Sequence, residues 1–237
     1  MSPEARAVAS RCCAVIAAYR EAEHIGAVVQ EVLRYGPKVL VVDDGSDDDT
    51  AALAEAAGAE VLRHPENRGK GAATQSGLNW ARSHGYETAI TLDGDGQHAP
   101  SDLPGFFQAF AETGTPVLLG DRMANAESMP FVRRCTNAFM SWLLSRAAGV
   151  RIPDTQCGYR MFRCDVLPEV WPDSARFAAE SEMLLDLADQ GVEMGAVPVA
   201  TIYGEEKSKI RPLPDTLRFF SMLRRRKKIR RAREEAA

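Results

Sequence analysis

The stretch Thr91-Leu92-Asp93-Gly94-Asp95-Gly96-Gln97-His98 sets two carboxylates and an amide oxygen within five positions, on a backbone that its glycines free to turn sharply. Oxygen donors at this spacing suit a hard divalent ion. Mg²⁺ and Mn²⁺ take one or two carboxylates from protein and fill their remaining positions with water and substrate phosphate oxygens. A phosphorylated substrate is the partner such a site implies. The same residues also suit an Asp-Gly turn with solvated carboxylates, and this stretch alone leaves both readings open.

The elements that must position these residues follow from the apolar pattern. Cys12 to Ala18 is a continuous apolar run, as expected of a strand covered on both faces, and it stops at the polar loop Tyr19-Arg20-Glu21-Ala22-Glu23. Ile25, Val28, Val29, Val32 and Leu33 predict a helix between His24 and Tyr35, ended by Gly36-Pro37. A second buried strand, Lys38 to Val42, runs straight into Asp43-Asp44-Gly45-Ser46. A helix from Thr50 to Ala57, a short strand from Ala59 to Leu62 and the loop His64 to Gly71 come next, then a helix from Ala72 to about Ser83. Thr88-Ala89-Ile90 reads as the strand leading to Asp93, and Pro116 to Gly120 and Val192 to Ile202 read as later strands.

Strands alternating with helices predict an α/β fold with a mostly parallel central sheet and helices on both faces. Ligands of such sheets bind beyond the carboxyl ends of the strands. The Tyr19 to Glu23 loop, Asp43 to Ser46, the Arg68-Gly69-Lys70-Gly71 loop and Asp93 to Asp95 all lie there or in loops that follow strands, so they can converge on one crevice. That convergence favours a functional site over a solvated turn. Arg68-Gly69-Lys70-Gly71 lacks the spacing of a P-loop, and no G-x-G-x-x-G follows the first strand.

The 237 residues, 45% hydrophobic and 26% charged, suit one soluble globular unit. We expect a catalytic domain over residues 1–212 and a tail over 213–237. Met1 to Arg6 lacks the order of a signal peptide, and no apolar run approaches the roughly 20 residues needed to span a bilayer. A cytoplasmic location is expected. The five cysteines are odd in number and form no C-x-x-C pair, so reduced structural thiols are expected. The net charge of −4 conceals a strongly basic run from Arg224 to Arg233.

Five motifs in order carry a family resemblance: Val15-Ile16-Ala17-Ala18-Tyr19-Arg20-Glu21, Val41-Val42-Asp43-Asp44-Gly45-Ser46, Asn67-Arg68-Gly69-Lys70-Gly71, Asp93-Gly94-Asp95-Gly96-Gln97-His98, and Asp154-Thr155-Gln156-Cys157-Gly158-Tyr159-Arg160. Over roughly residues 12 to 212 the chain resembles family 2 glycosyltransferases of the GT-A fold. More narrowly it is similar to the branch of dolichyl-phosphate mannose synthases and bacterial polyprenyl-phosphate glycosyltransferases. Ala18 departs from the pattern, which often has Pro there.

The resemblance implies an inverting, metal-dependent transfer of a sugar from a UDP- or GDP-linked donor to a polyprenyl (dolichyl or undecaprenyl) phosphate. It implies that Ala17, Tyr19 and Glu21 line the nucleotide pocket, that Asp44 contacts base or ribose, and that Lys70 lies close to the nucleotide. Asp93, Asp95 and Gln97 form the implied set for Mg²⁺ or Mn²⁺, with Asp93 also facing the ribose and sugar and Asp95 acting in catalysis. Arg122, Arg133 and Asn137 occupy the positions that cradle the acceptor phosphate, a role that suits the fixed fork of guanidinium donors. Lys209 fits the basic residue that reaches the diphosphate from a late loop.

Acceptor chemistry decides whether a base is needed. A phosphate monoester is already anionic near neutral pH, whereas a sugar or small-molecule hydroxyl needs a carboxylate to take its proton. Asp154 is the first candidate for that base, followed by Glu180 and Glu182. The apolar spacing through Phe139, Trp142, Leu143 and Leu144 reads as core packing, or as a guide for an isoprenoid. The tail, amphipathic from Asp215 and then basic, suits either a solvated tail or a helix on an anionic membrane surface, and the second reading would place the chain at the inner face of a membrane. No aromatic-interleaved basic patch points to nucleic acid.

Overall fold

The computed structural model describes residues 1–124, 129–168 and 177–200, without the side chains of residues 132, 133 and 177–179. Seven strands form one sheet: β1 (Cys12–Ala18), β2 (Lys38–Asp43), β3 (Glu60–Arg63), β4 (Thr88–Asp93), β5 (Val117–Asp121), β6 (Arg160–Arg163) and β7 (Met194–Pro198). Their order is β3-β2-β1-β4-β6-β5-β7. The pairs β1–β2, β1–β4, β2–β3 and β5–β7 are parallel, and β6 runs antiparallel to both β4 and β5. The mostly parallel sheet expected from the sequence is therefore present, interrupted by one reversed strand.

The helices are α1 (Pro3–Ser10), α2 (Ile25–Leu33), α3 (Thr50–Ala56), α4 (Lys70–Ser83), α5 (Leu103–Thr113), α6 (Phe131–Ala148) and α7 (Phe177–Asp189). Alternate residues of β1 point to opposite faces of the sheet, and each face has its own core. Cys12, Ala14, Ile16 and Ala18 pack with apolar residues of α1, α2, α3 and α5, including Phe106 and Phe107. Cys13 and Val15 pack with Ala73, Leu78 and Ala81 of α4, Leu144 of α6, and Met183 to Leu185 and Leu187 of α7. An apolar strand without alternation is what such two-sided burial requires.

One helix lies unusually close to the sheet. A Cβ at Gly77 of α4 would sit 2.2 Å from Val15 Cγ1 and 3.0 Å from Val42 Cγ2, so only glycine allows this approach.

Several elements differ from expectation. β4 continues past Ile90 to Asp93, because Thr91 and Leu92 keep their places in the ladder beside Val15 and Ile16. α4 begins at Lys70 rather than Ala72, after Gly69 at φ 92°. Phe139 and Trp142, read as core, are 52% and 59% exposed, while Leu144 of the same helix is fully buried. The helix turns Asn137, Ser141 and Leu144 inward, and that leaves its aromatic stripe outside. All five cysteines are free thiols, four of them buried, and burial pushes the Cys12 thiol up to about 12.

Candidate functional site

Register explains why distant motifs meet. In the parallel ladders Ala17 pairs with Val42 and with Asp93, and Ala18 pairs with Asp43. The Ala17-Ala18-Tyr19, Asp43-Asp44 and Asp93-Gly94-Asp95 segments thus leave the sheet at one level. A Cβ on Gly94 would lie 3.3 Å from Ala18 Cβ and 3.5 Å from Glu21 Cγ, which sets the acidic turn against the first loop. Tyr19 is half-buried, with the Arg20 guanidinium 5.3 Å from its ring centre. Arg20 has φ 56°, a left-handed conformation unusual for a non-glycine residue. Its N–H donates to Ser46 Oγ at 2.9 Å, and its side chain makes two bonds to Asp47. Glu21 N–H donates to Thr50 Oγ1 at 2.9 Å. This wall contains Ala17, Tyr19 and Glu21.

Asp44 organises the next loop. Its Oδ1 accepts from the Arg68 N–H at 3.0 Å and lies 2.7 Å from His64 Nδ1, and its Oδ2 accepts from the Gly69 N–H at 2.7 Å. Three donors use three of the roughly four acceptor positions of a carboxylate. His64 is itself buried, with Nε2 3.0 Å from Ser76 Oγ on α4. Asp44 and His64 together fasten the end of β2 to the start of α4, where Lys70 is the first residue. Gly45, at φ 74°, lets Glu66 and Asn67 approach its backbone so closely that a Cβ would lie 2.5 Å from the Glu66 carbonyl carbon.

Lys70 Nζ lies 2.6 Å from Asp93 Oδ1 and 3.8 Å from Glu180 Oε1. Burial works against the Lys70 ammonium, but Asp93 and Glu180 outweigh it and hold its pKa above the usual lysine value. Burial likewise works against the Asp93 carboxylate, and Lys70, His98 and Arg160 outweigh it, bringing Asp93 down to about 2. His98 Nδ1 accepts the Asp93 N–H at 3.1 Å, and its ring stacks on Tyr159. Burial, only partly opposed by Asp93, lowers the His98 pKa. Arg160 donates to the carbonyls of Cys157 and Thr155 at 2.8 and 2.9 Å and faces Glu180 at 3.3 Å. A Cβ on Gly158 would lie 3.0 Å from Lys70 Nζ, 3.3 Å from Asp93 Oδ1 and 3.3 Å from His98 Cε1. The fifth motif therefore closes over the fourth.

Asp93, Asp95 and Gln97 are half-buried on one turn. Asp95 Oδ1 accepts the Gln97 N–H at 3.0 Å. Among the described residues no cluster of three or more His, Cys, Asp or Glu side chains is assembled for a metal. The donor set still fits a hard ion, since Mg²⁺ draws only one or two protein carboxylates and keeps water and phosphate oxygens for the rest.

On the acceptor side, the expected phosphate ligand Arg122 and the expected base Asp154 are bonded to each other. Nε donates to Oδ2 at 2.7 Å and an Nη donates to Oδ1 at 3.0 Å. Oδ1 also accepts the Gln156 N–H at 3.0 Å, and Asp154 is fully buried. Such a bidentate pair fixes the direction of the Arg122 guanidinium. Asn137 is buried, its amide 3.8 Å from Met129 Sδ. Arg133 lies in the first turn of α6, and its side chain is outside the described residues, as are Lys209 and the tail 213–237.

The structure adds His64, His98 and Arg160 to the site and places Glu180, a later candidate for the base, against Lys70 and Arg160. The first three stand in or beside the quoted motifs: His64 opens the loop before Asn67-Arg68-Gly69, His98 ends the acidic turn, and Arg160 ends the last motif. Glu180 sits in the first turn of α7.

Residues 13–171 match Glycosyl transferase family 2. The chain is 30% identical over 207 residues to polyprenol monophosphomannose synthase of Mycolicibacterium smegmatis, covering 80% of this chain and 76% of that protein. It is 28% identical over 214 residues to the UDP-N-acetylglucosamine:dolichyl-phosphate N-acetylglucosaminyltransferase of Methanococcus voltae, covering 81% and 85%. Among solved structures, mannosyl-3-phosphoglycerate synthase from Rubrobacter xylanophilus superposes with a TM-score of 0.68 at 21% identity, covering 97% of this chain and 78% of that one. Fold, motif order and family match agree: the chain belongs to glycosyl transferase family 2 and is a glycosyltransferase of the GT-A fold.

Proposed function

We propose that this glycosyltransferase moves a sugar from a nucleoside-diphosphate donor, UDP- or GDP-linked, to a polyprenyl phosphate, with inversion at the anomeric carbon. The observation that carries the choice of acceptor is the Arg122–Asp154 pair. With both Asp154 oxygens engaged and the residue fully buried, it would have to break a bidentate ion pair to serve as a base. A phosphate acceptor needs no base. Relatives named for dolichyl-, polyprenyl- and undecaprenyl-phosphate transfer support the same reading.

In this reading Ala17, Tyr19, Glu21 and Asp44 hold the nucleoside, and Lys70 and Lys209 meet the diphosphate. Asp93, Asp95 and Gln97 would hold Mg²⁺ or Mn²⁺, which when bound neutralises charge developing on the departing nucleoside diphosphate. Solved relatives of the fold were crystallised with Mn²⁺ or Mg²⁺ and UDP, which supports that choice of ions. Arg122, Arg133 and Asn137 hold the acceptor phosphate in line. One phosphate oxygen forms the new bond to the anomeric carbon as the bond to the donor diphosphate breaks, and the diphosphate leaves with the electron pair. The enzyme would work as a peripheral protein at the cytoplasmic face of a membrane.

The test is release of nucleoside diphosphate from a panel of UDP- and GDP-sugars with Mg²⁺ or Mn²⁺, with and without a short-chain polyprenyl phosphate. The proposal expects release that needs both metal and lipid phosphate. Release that ignores the lipid and responds to a hydroxyl acceptor would overturn it.

A further inference from the structure

Among the described residues no helix is long and apolar enough to cross a membrane, yet α6 carries an apolar surface on its outer side. Phe131, Phe139 and Trp142 are 78%, 52% and 59% exposed. They fall at helix positions i, i+8 and i+11, so they share one face. Phe139 and Trp142 stack on each other, their centres 6.1 Å apart, without entering the core.

Charge around this face is one-sided. From Met129 to Pro153 the chain has four arginines, Arg133, Arg134, Arg146 and Arg151, and no Asp, Glu or Lys, although the protein as a whole carries a net charge of −4. Arg134, Arg146 and Arg151 are exposed. A groove of about 830 Å³ beside the helix is lined by Trp142, Arg146, Val150 and Arg151, with Asp121 the one acidic residue among the described residues that line it. The Asp121 carboxylate accepts the Met123 N–H.

Aromatic side chains flanked by arginines, with no acidic residue between Met129 and Pro153, match the boundary between hydrocarbon and anionic headgroups. We infer that the outer face of α6 docks on an anionic lipid bilayer, with Phe131, Phe139 and Trp142 entering the headgroup boundary and Arg134, Arg146 and Arg151 meeting lipid phosphates. A second copy of the chain is the less suited occupant, because two such faces would bring like charges together. α6 also carries Asn137 and Arg133 from the expected acceptor cradle, so docking by this face would bring the acceptor side of the site to the membrane. That consequence rests on the polyprenyl-phosphate reading; the docking itself does not.

The test uses the full chain with vesicles of phosphatidylcholine alone or mixed with phosphatidylglycerol, read by co-sedimentation and by quenching of tryptophan emission with brominated lipid. We expect binding to the anionic vesicles, and quenching that Trp142→Phe largely removes. Phe139→Ser with Trp142→Ser should weaken binding by about tenfold or more. Arg134→Gln, Arg146→Gln and Arg151→Gln together should weaken it by roughly a hundredfold, at roughly fivefold for each charge. Circular dichroism should be unchanged, since all five positions are exposed. Unaltered binding by either set would overturn the inference and assign docking to another part of the chain. So would wild-type dimers that the serine variants dissociate, without any vesicle binding. Vesicle binding is read without turnover, so absence of lipid-dependent sugar transfer would defeat the proposed function and leave this inference standing.

Discussion

The two halves of the site are held by different kinds of bond. On the donor side, Asp44 grips the backbone N–H groups of Arg68 and Gly69, and β1, β2 and β4 bring their motifs to one level by ladder register. On the proposed acceptor side, geometry rests on side chains far apart in sequence, Arg122 with Asp154 and Arg160 with Glu180, and at the seam between the halves Lys70 reaches both Asp93 and Glu180. Backbone contacts fix the path of a loop, whereas side-chain pairs fix the direction of the groups that would meet a ligand. In the proposed function the donor half is thus a framed loop and the acceptor half a set of mutually oriented side chains.

The largest effect should come from breaking the frame itself. Gly77→Val places methyl groups where even a Cβ would meet Val15 at 2.2 Å, and should destabilise the protein by about 3 kcal/mol or more, measured by denaturant unfolding. Gly158→Val strikes the seam between the halves. Its side chain would enter the space beside Lys70, Asp93 and His98, and turnover should fall by about a hundredfold with circular dichroism retained.

His64→Ala tests the frame more gently. Removing the partner of Asp44 and Ser76 should raise the donor KM by about tenfold while the acceptor KM and kcat stay near wild type. An equal rise in both KM values would erase the distinction between the halves.

The smallest effect concerns pH. Asp93 is depressed to about 2 in the folded protein, so the contribution of its pair with Lys70 is present above the unfolded carboxylate value of about 3.9 and lost as pH falls toward 2. Lys70 is raised, so its part is present at neutral pH and lost only above the unfolded lysine value of about 10.4. The stability difference between wild type and Lys70→Met should therefore be flat between about pH 5 and 9 and shrink below about 4.

The same division explains what the sequence revealed. β1 and β2 were legible because both faces bury apolar residues, and their terminal motifs were legible because acidic and glycine residues cluster in short spans. Reversed β6 was not, since four residues, Arg160 to Arg163, carry no strand pattern that distinguishes direction. Nor was the Arg122–Asp154 pair, whose members stand 32 residues apart. Phe139 and Trp142 were misread because helical apolar spacing records that residues share a face, not which face meets the core. His64 stood in view beside a motif, but its role needed the fold that brings Ser76 and Asp44 to its two nitrogens.

The most direct test of the account is the kinetics of Asp154→Asn with a polyprenyl phosphate acceptor, resolved into kcat and the two KM values. If Asp154 orients Arg122, the acceptor KM should rise by about tenfold, with kcat within roughly threefold of wild type and the donor KM unchanged. A fall in kcat of about a hundredfold or more at unchanged acceptor KM would make Asp154 a base and contradict the account.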